Sequence, residues 1–312
     1  MTLTQLEYII ALDSFRHFGK AAIHCNIAQP SLSLQVQKLE EELKTTIFVR
    51  NCTPIIPTET GAIIIEQAKK IIAEAGMVQQ LVHQQKNTVE GHLKIGIIPT
   101  LAPYLLPLFL MNFIKKYPAV KLHISELTTE KIIKRLNNGT IDVGILATPL
   151  AHAELKEDVL FNEEFVGYIS KNEKIFSKKY ILPADIDPNR LWLAEEGHCL
   201  RTQTLNLCEL QKNSTIEKHL EYETGSIETL KNFVEKNGGI TLLPELATIN
   251  MTAGKKAMLR YFKSPAPARE ISMVTIKSFV KTRLTNILKE CIITHLPIEV
   301  SKKKTMVRLD IV

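Results

Sequence analysis

Gln29-Pro30-Ser31-Leu32-Ser33-Leu34-Gln35-Val36-Gln37-Lys38-Leu39-Glu40 is the stretch on which the reading of this chain turns. Leu32, Val36, Leu39 and then Leu43 recur at i, i+4, i+7 and i+11, which is one apolar stripe of a helix. Pro30 fits only in the first turn, where its missing N–H has no intrahelical partner to lose. Ser31, Ser33, Gln35 and Lys38 are left for the other side. Short polar side chains at a helix start, assisted by the helix dipole, can reach phosphates and base edges. The same pattern also describes a plain three-helix bundle with a solvated face. Upstream, Leu3, Leu6, Ile9 and Ile10 mark a first helix, and the small residues Ala21, Ala22 and Cys25 mark a second near 19–25.

Downstream, Ile64, Ala68, Ile71, Ala75, Val78 and Val82 alternate spacings of four and three. A 3.5-residue period over about three heptads predicts a coiled-coil seam, hence a dimer that sets two reading helices on two half-sites; the alternative is a helix packed along its own domain, whose period would drift toward 3.6 over a longer run. From His92 the texture changes. His92-Leu93-Lys94-Ile95-Gly96-Ile97-Ile98-Pro99, Val120-Lys121-Leu122-His123-Ile124 and Ile141-Asp142-Val143-Gly144-Ile145-Leu146 read as strands, with helices over 101–117 and 130–137. A second set includes Phe165-Val166-Gly167-Tyr168-Ile169 and Gly238-Gly239-Ile240-Thr241-Leu242-Leu243-Pro244. A late strand at 271–276 and a helix at 282–295 return the chain. This alternation predicts an α/β region with a largely parallel sheet in two lobes. Ligands in such folds sit at strand C-termini, which places Thr100 and Thr128-Thr129 at the candidate site.

The 312 residues carry a formal net charge of +6, but the excess is not where a nucleic-acid reading needs it. Residues 1–90 hold 8 basic and 9 acidic side chains, whereas residues 255–312 hold 13 and 4. The apolar stretch 95–114 is broken by Pro99, Pro103 and Pro107, so no membrane span is expected, and the N-terminus lacks the basic start of a secretory signal. Five cysteines without a CxxC or a zinc-type Cys/His cluster argue against a disulfide scaffold and against a metal site. A cytoplasmic protein without cofactor is the expectation. Cys25 and Cys291 fall among apolar helical neighbours and read as core, while Cys52 falls in the wing segment.

Phe18-Gly19-Lys20-Ala21-Ala22, Ala28-Gln29-Pro30-Ser31-Leu32-Ser33, Lys38-Leu39-Glu40, Phe48-Val49-Arg50 and Thr58-Glu59-Thr60-Gly61 together resemble the LysR-type transcriptional regulators. The resemblance implies a winged helix-turn-helix over 1–58 and a linker or dimerisation helix over 59–90. It further implies a two-lobed, periplasmic-binding-protein-like regulatory domain over 91–312, with lobe I at 91–163 plus 268–300 and lobe II at 164–267. It implies that Gln29, Pro30, Ser31, Ser33 and Leu34 face the major groove, with Lys38 on the same side, and that Arg50 grips the backbone beside the wing. Double-stranded DNA with a pseudo-palindromic operator, a homodimer or homotetramer, and RNA polymerase are the implied partners. Ala28 stands where the family usually has Ser, which removes an N-cap worth about 1 kcal/mol. The wing reads Arg50-Asn51-Cys52-Thr53, with fewer arginines than the family often carries, so DNA binding is expected to depend only weakly on salt.

Glu196-Gly197-His198-Cys199-Leu200-Arg201-Thr202-Gln203 continues to Cys208. His198 and Arg201 beside Cys199 favour the thiolate. On spacing alone the two cysteines also fit an inert, buried pair. Leu200–Leu207 lacks Pro and Gly and can be helical; nine residues of helix separate two Cα atoms by about 14 Å, whereas a disulfide needs about 7 Å or less. Reduced helix and disulfide therefore cannot share one backbone, which makes the segment a candidate two-state element. With Ser226-Ile227-Glu228-Thr229-Leu230, Gly239-Ile240-Thr241-Leu242-Leu243-Pro244 and Pro103-Tyr104-Leu105-Leu106-Pro107, this stretch resembles the peroxide-sensing activators within the same family. That resemblance implies Cys199 as the peroxidatic and Cys208 as the resolving cysteine, with Thr100, Thr129, His198 and Arg201 around the peroxide and a cellular dithiol system as reductant. Two other readings are a regulator with a reversible small-molecule inducer, and a thiol peroxidase, which the N-terminal module disfavours.

Overall fold

The computed structural model describes residues 1–49, 54–84, 89–150, 152–194, 199–207, 226–277, 279, 282–301 and 306–308. Two compact units divide the chain, one dominated by Met1–Asn87 and the other by Thr88–Leu136 with Ile141–Val312. In the first, helices α1 (Leu3–Phe15), α2 (Phe18–His24) and α3 (Gln29–Leu43) precede a two-stranded antiparallel hairpin, β1 (Phe48–Val49) with β2 (Ile56–Pro57), and then α4 (Glu59–Gln84). The stripe Leu32, Val36 and Leu39 of α3 is fully buried against Leu6, Ile9 and Leu12 of α1, so the helical periodicity is realised as a small shared core.

The starts of these helices differ in how they are capped. Thr2 and Gln5 form a reciprocal capping box on α1. His17 caps α2, its Nδ1 accepting the N–H groups of Gly19 at 3.0 Å and Lys20 at 3.3 Å. Ala28 precedes α3 in an extended conformation and supplies no side-chain cap, as its methyl group requires. Glu40 of α3 reaches across to accept Ile47 N–H at 2.7 Å and Phe48 N–H at 3.1 Å, which anchors the hairpin to that helix.

The proposed seam on α4 is only partly available for a partner. Ala68 is buried and Ile64 and Ile71 pack half-buried against the chain's own α1–α3 core. Lys69 and Asp13 bridge the two helices at 3.4 Å. The first half of the stripe is therefore intramolecular packing, because α4 lies along α1; the side chains of Val78 and Val82 lie outside the described residues.

The second unit carries a nine-stranded sheet and the remaining helices. β3 (Gly91–Ile97), α5 (Ala102–Lys116), β4 (Val120–Glu126), α6 (Thr129–Asn137) and β5 (Val143–Thr148) form a parallel β4–β3–β5 layer. β6 (Leu155–Ile169) is 15 residues long and pairs antiparallel with β10 (Ala266–Ile276) in its first part. Its last five residues pair instead with β8 (Ile240–Pro244), and beside it β9 (Leu259–Phe262) carries the short parallel β7 (Tyr180–Ile181). The sheet is thus mixed rather than largely parallel, because two long strands cross it in opposite directions.

Two separate buried clusters result. One contains Ile95, Phe109, Ile145, Met273 and Leu288; the other contains Phe165, Tyr168, Leu230, Leu242 and Phe262. Helices α7 (Cys199–Leu207), α8 (Ile227–Asn237) and α9 (Ala253–Lys256) belong to the second region, and α10 (Thr282–Thr294) and α11 (Ile298–Ser301) close the first. Beyond them β11 (Met306–Arg308) pairs in parallel with Ala266–Ala268.

Candidate nucleic-acid interface and regulatory site

Burial of one face of α3 leaves Gln29, Pro30, Ser31, Leu34 and Lys38 exposed, while Ser33 is half-buried. Leu34 is 51% exposed and so is not part of the core that Leu32 and Leu39 enter. Gln35 is half-buried and its Oε1 accepts from Gln5 Nε2 at 3.3 Å, so this residue belongs to the scaffold. Arg50 and Cys52 lie outside the described residues. Sequence reasoning missed His17, which caps α2, and Glu40, which anchors the hairpin to α3; a histidine two residues before Gly19 was the available signal.

In the second unit, Thr100 follows the C-terminal end of β3 and is 3% exposed. Its hydroxyl accepts Arg269 Nη1 at 3.2 Å, and its carbonyl accepts Nη2 at 3.4 Å. Arg269 stands opposite Glu163 in the β10–β6 register; both are fully buried, and Nε and Nη2 each lie 2.8 Å from Glu163 Oε2. The other carboxylate oxygen accepts Leu246 N–H at 2.8 Å. A buried guanidinium is thereby fixed behind Thr100, and neither member of the pair was legible as a site residue in the sequence.

Thr129 opens α6 and is half-buried at the end of the neighbouring strand β4, with the Thr128 carbonyl accepting from Ile132. Cys199 opens α7. Its side chain, like all of His198 and Cys208, lies outside the described residues. Leu200 is buried in the second cluster, and Arg201 Nη1 donates to the Ala194 carbonyl at 3.1 Å. Cys25 and Cys291 are half-buried, and burial raises both thiols above their ordinary value, with Glu7 adding to the rise at Cys25. Both are held away from the reactive form. Among the described residues there is no group of three or more His, Cys, Asp or Glu able to hold a metal ion, and no helix is long and apolar enough to cross a membrane.

The three-helix unit with its hairpin and the two-cluster sheet define a LysR-type transcriptional regulator, and the chain belongs to that family. Residues 3–62 match the family described as bacterial regulatory helix-turn-helix protein, lysR family, and residues 86–297 match the LysR substrate binding domain. The hydrogen peroxide-inducible genes activator of Haemophilus influenzae is 31% identical over 276 residues, covering 88% of this chain and 90% of that protein. The DNA-binding transcriptional dual regulator OxyR of Escherichia coli K12 is 32% identical over 274 residues, covering 88% and 89%. Among solved structures, a full-length OxyR variant from Pseudomonas aeruginosa superposes with a TM-score of 0.78 at 31% identity, covering 95% of this chain and 99% of that one.

Proposed function

We propose that this regulator senses hydrogen peroxide through Cys199 and Cys208 and controls oxidative-stress genes from the cytoplasm. The observation that carries the reading is Cys199 at the N-terminus of α7 in a chain similar along most of its length to peroxide-responsive activators. The thiolate of Cys199 attacks one peroxide oxygen, giving a sulfenic acid and releasing hydroxide; the thiol of Cys208 then condenses with it, forming the disulfide and water. A cellular dithiol returns both cysteines to thiols by exchange. Thr100, Thr129, His198 and Arg201 are the proposed peroxide pocket, and Arg269 holds the Thr100 hydroxyl in place. The protein turns over stoichiometrically, as a transcription factor and not an enzyme.

The helix supplies the switch. Eight steps of α-helix carry Leu207 about 12 Å from Cys199, and the next Cα is at most about 3.8 Å farther along the chain. A bridge needing about 7 Å or less between Cα atoms cannot close on an intact α7, so oxidation has to unwind it. Within this reading, residues 1–58 bind DNA through Gln29, Pro30, Ser31, Ser33, Leu34, Lys38 and Arg50. Residues 59–90 join the dimer, residues 91–312 regulate, and tetramers engage RNA polymerase at a pseudo-palindromic operator. Non-reducing peptide mapping of the full chain after brief peroxide treatment is expected to recover a Cys199–Cys208 cross-linked peptide. Peroxide-induced transcription that persists in Cys199→Ser overturns the proposal.

A further inference from the structure

The sheet of the second unit ends in β9 and then β7, an edge strand only two residues long. Tyr180 stands opposite Tyr261 in their parallel register, and Ile181 opposite Phe262. Ile181 and Phe262 are buried in the second cluster, so alternation along the strands turns both tyrosines to the other face. Inboard, that face is covered. Val166, opposite Tyr261 on β6, is fully buried, and Tyr168, two residues on, donates its phenol to Glu235 of α8 at 2.8 Å. At the edge the cover stops. Tyr180 is 53%, Tyr261 45% and Leu182 49% exposed, which leaves two tyrosines side by side and a leucine bare to water.

Cations border them. Lys179 Nζ lies 5.5 Å from the centre of the Tyr180 ring, and Lys263 is exposed two residues beyond Tyr261. Neither lysine has an ion-pair partner among the described residues. The adjacent acid is already engaged: Asp185 pairs with Lys178 at 2.6 Å and accepts Leu182 N–H at 2.9 Å. That N–H points away from β9, so Asp185 closes the strand edge at Leu182 and leaves the face open. Lysines beside a short edge strand explain an edge guarded against strand addition, but not an apolar face left bare next to it.

We propose that this platform docks an acidic peptide segment of another protein, one that carries an aromatic or leucine anchor. The anchor covers Tyr180, Tyr261 and Leu182, and the flanking carboxylates meet Lys179 and Lys263. Tyrosines give a large, stiff contact area at low entropic cost, while the lysines steer an acidic partner and set its register. Duplex DNA fits less well, because it offers phosphates to the lysines but keeps its bases stacked and leaves the rings uncovered. The surface uses neither Cys199 nor Cys208, so the reduced chain is competent to bind.

The test is fluorescence anisotropy of a short labelled peptide, with one phenylalanine and one leucine set among glutamates, titrated with the reduced full chain. Saturable binding with a Kd between about 1 μM and 1 mM is expected, and none of the same peptide with serines in place of phenylalanine and leucine. Tyr180→Ser with Tyr261→Ser, both at exposed positions, should weaken binding at least about tenfold, as should Lys179→Glu with Lys263→Glu. No saturable binding overturns the proposal, as does equal binding of the serine peptide or a smaller loss in either double variant. Displacement of the bound peptide by oligothymidylate as effectively as by unlabelled peptide would mark a nucleic-acid site and overturn it too. Should the tyrosine variant fail to fold, the lysine variant decides by the same threshold.

Discussion

Arg269 and Glu163 are both wholly buried, which makes each the other's condition for being charged. Removing one leaves an uncompensated charge in a desolvated position, a loss of about 3–5 kcal/mol, whereas removing both with apolar side chains costs far less. Arg269→Met should therefore lower the urea midpoint of the full chain sharply, and Arg269→Met with Glu163→Leu should recover much of it. Equal losses for the single and double variants would show that the pair is not coupled. At Ala28 the expectation has the opposite sign. The residue before α3 is extended and lacks a side-chain cap, so Ala28→Ser should stabilise the winged unit by about 1 kcal/mol, read from chemical unfolding. No change would mean that the serine hydroxyl does not reach the first-turn N–H groups.

Helix α4 begins against the hairpin with no space to spare. Thr58 Oγ1 accepts Gly61 N–H at 2.9 Å while donating to the Thr46 carbonyl at 2.7 Å, and a Cβ on Gly61 would meet the Ile47 carbonyl oxygen. The neighbour is backbone and cannot move aside, so Gly61→Ala should displace the hairpin from α4 and abolish operator binding in an electrophoretic shift. Wild-type affinity in that variant would sink the argument. Helix α8 carries a different consequence. Burial opposes ionisation of Glu228 and Glu235, but hydrogen bonds from Lys231 and Tyr104, and from Lys255 and Tyr168, hold both carboxyls below their ordinary value of 4.5. Depressed carboxyls contribute stability above the unfolded value, and that contribution is lost as pH falls through the lower folded value. Urea midpoints should thus fall below about pH 4.5, less steeply in Glu235→Gln. Parallel curves for the two proteins would contradict the assignment.

Charge over the whole molecule runs against its function. The DNA-reading unit has more acidic than basic side chains in residues 1–90, and the basic excess of residues 255–312 is partly structural. Arg269 is sealed in its ion pair, and Arg260 stacks on the Phe176 ring at 4.1 Å. Few cations at the interface release few counterions, so operator affinity between about 50 and 200 mM salt should fall with a shallow slope. A slope as steep as that of a richly basic relative would refute this. Much of this architecture was open to reading from residue order. The stripe at Leu32, Val36 and Leu39 and the turn at Thr58 and Gly61 are local patterns, and helical spacing and turn chemistry act within a few residues. Leu200–Leu207, without Pro or Gly, was legible only as a segment able to be helical, and α7 (Cys199–Leu207) spans it. The mixed sheet was not legible. Lys156-Glu157-Asp158 and Asn162-Glu163-Glu164 break the apolar alternation of β6, so only residues 165–169 read as strand. Glu163 is tolerated because a partner distant in sequence, Arg269, meets it, while Glu157 accepts the nearby Leu150 N–H at 2.9 Å. The pairing of Tyr104 with Glu228 and Lys231, the split use of the α4 stripe, and the guanidinium behind Thr100 are likewise long-range. A buried charge can be compensated by any residue that folding brings near, and linear order does not say which one.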